Sequence, residues 1–179
     1  MNAIINILKI DDLVDLPDAI STIVFGDLDI RNQFYDQLAK SYNYDFSYDW
    51  FQSMYEDELA QRKQNKQDFT PNSVGRLLSK LTGVSEGKIY EPTAGNGSIL
   101  ISNWHYRKAQ LGEKMKPEDH KIECWELSSR SIPILLLNLS IRNISGVVCH
   151  GDVLTKECKS KFELNSTNNY SNITRHENK

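Results

Sequence analysis

Residues 88–152 alternate between short apolar runs and longer amphipathic segments, and this limits the fold of the chain more than any other feature. The runs "KIYE", "KIECWE" and "GVVCH" are typical of strands. The segments between them, "ILISNWHYRKAQ" and "SIPILLLNLSIRN", are typical of helices. A β-α-β-α-β order forms a parallel sheet with right-handed crossovers. The sequence therefore predicts an α/β fold with about three parallel strands.

Residues 1–62 are predicted to form a helical N-terminal segment, because apolar residues such as Leu16, Ile20 and Val24 recur at helical spacing. Residues 1–60 hold twelve acidic residues against three basic ones, a net charge of −9. Phosphate would be repelled by such a surface, so this segment is not expected to be the main contact with DNA. The charge fits a solvated acidic face, a protein-docking surface or a DNA-like decoy.

A further helix is predicted between Thr70 and Gly83. Thr70 suits a capping position, Pro71 suits the first helical position, and Gly83 suits the C-terminal stop. The apolar residues between them follow the helical repeat: Val74, Leu77, Leu78 and Leu81. The sequence thus predicts an amphipathic helix directly before the first strand.

Composition argues against several other kinds of protein. The three cysteines form no CxxC pair, which predicts reduced thiols and a cytoplasmic location. The four histidines join no ligand cluster, so no metal site is predicted. No apolar run approaches the roughly 18 residues of a membrane span, and the N-terminus lacks the pattern of a signal peptide.

Three strand ends carry residues suited to a ligand, and ligands of open α/β sheets bind beyond the carboxyl ends of the strands. The first strand leads into residues 91–97, "EPTAGNG", whose small residues allow close approach to the backbone at a helix N-terminus. Glu126 ends the second strand and Asp152 ends the third. Each feature alone also fits a structural turn or cap. Their order favours one ligand site over three separate turns.

Four stretches resemble, in the same order, the motifs of the adenine-N6 DNA methyltransferases: "QDFTP", "YEPTAGNGSILI", "WELSSRSIPILLLNLSIRNI" and "GDVL". The resemblance is strongest to the modification subunit of type I restriction systems, and it covers roughly residues 60–155. It implies a Rossmann-like sheet that binds S-adenosylmethionine and a role in DNA methylation within restriction–modification.

The resemblance also implies where the cofactor would be held. Thr70 and Pro71 would frame its methionine end, Glu126 would accept its ribose hydroxyls and Asp152 would contact its adenine. The glycine loop would be lined by Glu91, Thr93, Ala94, Gly95 and Gly97. The family usually has Cys, Gly or Ala at positions 93 and 94, and Ser or Thr at position 96, so this chain departs from the family pattern at Thr93 and Asn96.

The catalytic tetrapeptide of that family is Asn or Asp, two prolines and an aromatic residue. It does not occur in these 179 residues, because no two of the five prolines are adjacent. The tetrapeptide accepts the N–H groups of adenine N6 and stacks on the flipped base. No catalytic residue is therefore predicted, and the chain alone is expected to be inactive.

The region after Asp152 is predicted to add no further strand. Residues 63–158 would form the methyltransferase core, and the Asn- and Ser-rich residues 159–179 would form a disordered tail. In the family's sheet the first strand is central, so its outer edge would here lie exposed. A second copy, or a subunit of a restriction–modification or methyltransferase complex, is predicted to bind there. DNA would be contacted only indirectly or within such a complex, and no membrane contact is expected.

Two alternatives to a cofactor-binding part remain open. One is a non-catalytic interaction module that modulates a restriction–modification or methyltransferase complex. The other is a frameshifted gene product without function, whose Asn-rich end would then be read out of frame. The residues do not decide between them.

Overall fold

The computed structural model describes residues 3–52, 70–84 and 87–177. Its helices are α1 (Ala3–Leu8), α2 (Leu16–Val24), α3 (Leu28–Ser41), α4 (Asn72–Thr82), α5 (Ser98–Leu111) and α6 (Ser131–Ser140). Its strands are β1 (Ile89–Glu91), β2 (Ile122–Glu126), β3 (Gly146–Asp152), β4 (Glu157–Asn165) and β5 (Asn172–Glu177). The predicted α/β class is confirmed. In these residues no helix combines the length and apolar character needed to cross a membrane.

The strands form one five-stranded sheet in the order β1-β2-β3-β4-β5. β1, β2 and β3 run parallel, as predicted. β4 is antiparallel to β3, and β5 is antiparallel to β4, so the sheet as a whole is mixed. Helices α5 and α6 connect the parallel strands, and right-handed crossovers place both helices on the same face.

The prediction of a disordered tail at residues 159–179 is wrong for the residues described there, because β4 and β5 form a hairpin at the edge of the sheet. Phe162 and Leu164 alternate with polar residues and are buried in the core. The Asn and Ser residues that suggested disorder fill the turn at 166–171 instead. The predicted boundary at residue 158 therefore falls inside a strand.

The N-terminal helices pack on the same side of the sheet as α6. Helix α2 lies along α6, and the Tyr35 hydroxyl lies 2.6 Å from Ser140 Oγ. The Phe25 ring is 5.7 Å from that of Phe162. Within residues 3–52 the chain forms the helices α1, α2 and α3, which are joined by turns. The predicted boundary between residues 62 and 63, and the polar connector before Thr70, lie outside the described residues.

The other face of the sheet is exposed at several positions. Strand register places Tyr90, Glu123, Val147 and Glu163 in one row across this face. Tyr90 is 55% exposed, and the Glu163 side chain is 40% exposed and pairs with Lys161 at 3.1 Å. At these positions the face is not covered by the described part of the chain.

Helix α4 differs from the prediction in its start and in its packing. It begins at Asn72, with Pro71 at the N-cap position, so the prediction that Thr70 caps it is wrong. The cause is the extended backbone of Pro71, whose carbonyl accepts from Val74 N and Gly75 N. Gly83 ends the helix with φ 67°, as predicted. Its apolar stripe is exposed: Val74, Leu77, Leu78 and Leu81.

Helix α4 instead contacts α5 through its small residues. A Cβ added at Gly75 would lie 2.6 Å from Ser102 Oγ, so only glycine allows the two helices to approach this closely. Ser79 is likewise fully buried. The amphipathic pattern therefore predicts the helix correctly but not the face that it buries.

Candidate cofactor site at the carboxyl ends of the strands

The loop between β1 and α5 is a tight turn with two glycines in the left-handed region. Gly95 has φ 56° and Gly97 has φ 92°. The Ala94 amide donates to the Trp125 carbonyl of β2 at 2.9 Å, and the Gly97 amide donates to the Ala94 carbonyl at 2.8 Å. The loop is therefore fixed against the neighbouring strand.

The two glycines serve different purposes. A Cβ at Gly95 would meet no atom within 4 Å, whereas a Cβ at Gly97 would lie 2.9 Å from Leu135 Cδ1 on α6. Gly97 therefore allows α5 to pack on α6. Gly95 borders open space.

This difference predicts two distinct effects on stability. We expect Gly97→Ala to lower the free energy of unfolding by about 2–4 kcal/mol, because a strained φ and a crowded Cβ both contribute. Gly95→Ala should lower it by only about 1 kcal/mol, since φ alone is strained. Urea unfolding of both variants measures the difference. A larger loss for Gly95→Ala would contradict the packing role of Gly97.

Glu126 joins the loop after β1 to the loop after β2. The Gly95 amide donates to Oε2 at 2.7 Å, and the Ser128 amide donates to Oε1 at 2.7 Å. Each carboxylate oxygen keeps a second lone pair, so Glu126 can still accept bonds from neighbouring hydroxyls. The structure thus brings together two residues that the sequence assigned to one site.

Glu91 and Asp152 lie at the ends of the two strands that flank β2. Glu91 Oε1 is 3.4 Å from the Thr93 amide, and burial raises the pKa of the Glu91 carboxyl. Asp152 Oδ1 accepts from the Leu154 amide at 2.8 Å, which is the structural turn that the sequence also allowed. Three carboxylates therefore lie at the carboxyl edge of the parallel strands.

His150 was not singled out from the sequence. It pairs with Glu126 in the register of β2 and β3, so both side chains lie on the same face. Burial, and then the charge of Lys159, lower the pKa of His150, which favours a neutral imidazole at pH 7. Its position two residues before Asp152, and on the same face as Glu126, is the signal that could have identified it.

Helix α4 and strand β1 separate Thr70 and Pro71 from the loop in the sequence. The Thr70 carbonyl accepts from Gln52 Nε2 at 3.3 Å. In helix α4, which starts directly after them, a Cβ at Gly75 would lie 3.8 Å from the Ser98 carbonyl. Gly75, four residues after Pro71, therefore lies against the start of α5, and no hydrogen bond of the described residues joins Thr70 or Pro71 to the loop at 91–97.

A buried polar network supports the end of the loop, and its key residue is Asp49 of the N-terminal segment. Ser98 Oγ donates to Asp49 Oδ2 at 3.0 Å. Asn138 Nδ2 donates to Asp49 Oδ1 at 2.9 Å and to the Asn96 carbonyl at 2.8 Å. Burial raises the pKa of the Asp49 carboxyl despite these bonds. One carboxylate thus connects the N-terminal segment, the loop and α6.

Arg142 completes this network. Its Nη1 donates to the Asn138 carbonyl at 2.9 Å, and its Nη2 donates to the Tyr48 carbonyl at 2.6 Å. The guanidinium also lies 4.6 Å from the centroid of the Trp50 ring. Burial lowers the pKa of Arg142 to about 10, so the side chain is still charged at pH 7. Asp49 was only one of twelve N-terminal acids in the sequence, and nothing there marked it as buried.

Comparison with known families extends the motif-based resemblance in both directions. Residues 46–178 match the family model described as N-6 DNA Methylase, and this range is well over half of the chain. The matched range begins before "QDFTP". It includes β4, and it covers all but the last residue of the segment 159–179, for which the sequence predicts a disordered tail. No curated protein matches the chain significantly. The chain therefore belongs to the N-6 DNA methylase family.

Proposed function

We propose that this chain is the S-adenosylmethionine-binding part of a DNA adenine-N6 methyltransferase of the type I restriction–modification kind. Family membership supports the link to adenine methylation. One observation carries the cofactor claim: Glu126, at the end of β2, holds the glycine loop through the Gly95 amide. The parallel strands β1, β2 and β3 support a Rossmann-like reading of this half of the sheet.

The side chains at this edge fit that cofactor. Open space borders Gly95, and Asn96 Nδ2 is buried without a hydrogen-bond partner in the described structure. When bound, S-adenosylmethionine supplies a methyl group activated by a positively charged sulfonium. The carboxylates of Glu91, Glu126 and Asp152 give the site a negative potential that complements this charge.

Each side chain has a proposed task in holding the cofactor. Glu126 accepts the ribose hydroxyls through its remaining lone pairs, and the second oxygen of Asp152 accepts the adenine amino group. Thr70 and Pro71 border the methionine end. The loop is shaped by the other predicted residues: Glu91, Thr93, Ala94, Gly95 and Gly97. A cytoplasmic location follows from the proposal, since the substrate is cellular DNA.

Binding of the cofactor does not by itself give methyl transfer. The lone pair of adenine N6 is delocalised into the ring, and the family localises it with the oxygens of the Asn or Asp and proline residues of the tetrapeptide. These 179 residues contain no adjacent prolines. The proposed role is therefore that of a cofactor-binding part without its own catalytic residues.

We expect the purified chain to transfer no methyl group to DNA above background. The assay follows tritium from methyl-labelled S-adenosylmethionine into adenine-containing duplex DNA. A competent type I modification enzyme in parallel reactions shows that the assay works. Labelled N6-methyladenine formed by this chain alone would contradict the proposal that the chain has no methyltransferase activity of its own. It would show that other residues replace the tetrapeptide.

A second candidate function is a non-catalytic module that binds another subunit. The edge of the sheet favours it, because among the described strands β1 pairs with β2 alone, and no described strand pairs with its outer hydrogen-bonding groups. The Ile89 amide donates to the carbonyl of Lys121, the residue before β2, so in an alternating strand the Tyr90 amide faces outward. The exposed residues Leu77 and Leu81 on α4 add apolar surface to the molecule.

This candidate predicts that the chain self-associates through β1, and that Tyr90→Pro weakens the association. Proline at this outward-facing position removes an edge donor without breaking a bond to β2. Tyr90→Thr keeps the amide and is the matched control. Light scattering over a range of concentrations measures the mass of each variant. A wild-type chain that stays monomeric and captures no restriction–modification subunit would contradict this candidate.

A further inference from the structure

A buried arginine lies at the edge of the sheet opposite the candidate cofactor site. Arg31, in the first turn of α3, is only 4% exposed. In the sheet, Gly146 at the start of β3 pairs with Leu164 at the end of β4, and Leu164 pairs with Ile173 at the start of β5. The turn next to Arg31 therefore lies at the amino ends of the parallel strands, whereas Glu126 lies at their carboxyl ends.

Among the described residues, the Arg31 guanidinium donates to neutral side-chain amide oxygens. Its Nε and Nη2 donate to Asn32 Oδ1 at 3.4 Å and 3.2 Å, and Nη2 also donates to Asn172 Oδ1 at 3.4 Å. The guanidinium carbon lies 5.4 Å from the centroid of the Tyr35 ring. In the described part of the chain no Asp or Glu oxygen forms an ion pair with it. A buried charge without a counter-charge is costly. The side chain is therefore suited to receive an anion.

A polar cavity of about 290 Å³ opens at this guanidinium. Its walls are Arg31, Asn32, residues 166–170 and Asn172. Arg31 is the only charged residue among them, and the others offer hydroxyl, amide and backbone groups. The Tyr170 hydroxyl donates to Asp36 Oδ1 at 2.5 Å.

The wall formed by the β4–β5 turn is fixed by the rest of the fold. The Ser166 amide donates to Ser145 Oγ at 3.1 Å, and Asn143 Nδ2 donates to the Thr167 carbonyl at 2.8 Å. The Ser171 amide donates to the Ser140 carbonyl at 2.9 Å. A preformed cavity reduces the entropy lost when a ligand binds.

We propose that this cavity binds a small, singly charged oxyanion, namely a carboxylate or monoanionic phosphate group, with the Arg31 guanidinium as its charged partner. An N–H group of the cationic guanidinium forms a charge-assisted hydrogen bond to an oxygen of such a group. One buried positive charge balances one negative charge. The net charge of −9 in residues 1–60 opposes a polyanion such as DNA at the same place.

The test is NMR titration of the full-length, ¹⁵N-labelled chain at pH 6 with sodium acetate and with sodium phosphate. Sodium chloride keeps the ionic strength constant and serves as the anion control. We expect the Arg31 Nε–Hε signal and the amides of residues 166–170 to shift along one saturable curve, with half-saturation in the millimolar range. The anion that saturates at the lower concentration identifies the preferred group.

Arg31→Gln should abolish the saturable shift of the loop amides, whereas Arg76→Gln, which removes the same charge from exposed α4, should preserve it. If Arg31→Gln does not fold, the wild-type titration decides alone. No saturation with either anion, equal shifts with chloride, or a saturable shift that survives Arg31→Gln would overturn the proposal. Stronger shifts of the same signals by duplex DNA than by the small anions would also overturn it.

Discussion

Replacing Glu126 with alanine should lower the affinity of the chain for S-adenosylmethionine at least tenfold. The change removes the proposed acceptor for the ribose hydroxyls, and each hydrogen bond to a charged group contributes about 1.5–3 kcal/mol. It also leaves the Gly95 and Ser128 amides without the oxygens that hold them at 2.7 Å. The loop then loses the conformation that the cofactor needs. Isothermal titration calorimetry measures the affinities.

The matched control is Glu123→Ala on the same strand. Glu123 lies on the opposite face of the sheet, where it pairs with Lys88 at 3.4 Å and is 41% exposed. Its removal should change the cofactor affinity by less than about twofold, because exposed pairs contribute little. Equal affinities of the wild type and Glu126→Ala would remove the cofactor role of Glu126.

Replacing Asp49 with alanine should have the largest effect on stability. The free energy of unfolding should fall by about 3–5 kcal/mol, as when one member of a buried charged network is removed. Asn138 Nδ2, Ser98 Oγ and the Phe51 amide would lose their acceptor. The buried Arg142 would also lose a nearby negative charge. Urea unfolding followed by circular dichroism gives the difference.

Asp45→Ala is the control for this effect. Asp45 accepts from the Ser47 amide at 3.0 Å in an exposed turn of the same segment. Its removal should cost about 1 kcal/mol, the usual effect of losing a local side-chain cap. If Asp49→Ala were no more destabilising than Asp45→Ala, the network would not hold the N-terminal segment against the loop.

The parallel half of the fold was predictable because its signals are local. Periodicity alone distinguishes β1, β2 and β3 from the helices between them. The topology of an open α/β sheet then brings strand ends to one edge, so the sequence predicts that Glu126 and Gly95 share one site, and their hydrogen bond agrees with this. Gly83 likewise ends α4, since a left-handed residue is required there.

The remaining features depend on contacts between distant residues. β4 buries only a few apolar side chains, such as Phe162 and Leu164, and they suffice because β3 and the N-terminal helices supply the rest of the core. The composition of this segment alone therefore predicts disorder, and this prediction is wrong. Asp49 meets Asn138 across 89 positions of sequence, and no local pattern encodes such a pair. The prediction that Thr70 caps α4 is wrong because Pro71 itself takes the N-cap position.

The central claim is that the chain holds S-adenosylmethionine at the carboxyl ends of β1, β2 and β3. Its most direct test is a residue-resolved NMR titration of the ¹⁵N-labelled chain with S-adenosylhomocysteine, the demethylated product. We expect the amides of Gly95, Ser128 and Leu154, which report on Glu126 and Asp152, to shift together along one saturable curve. Unchanged signals at these amides at saturating ligand, or shifts confined to other parts of the chain, would contradict it.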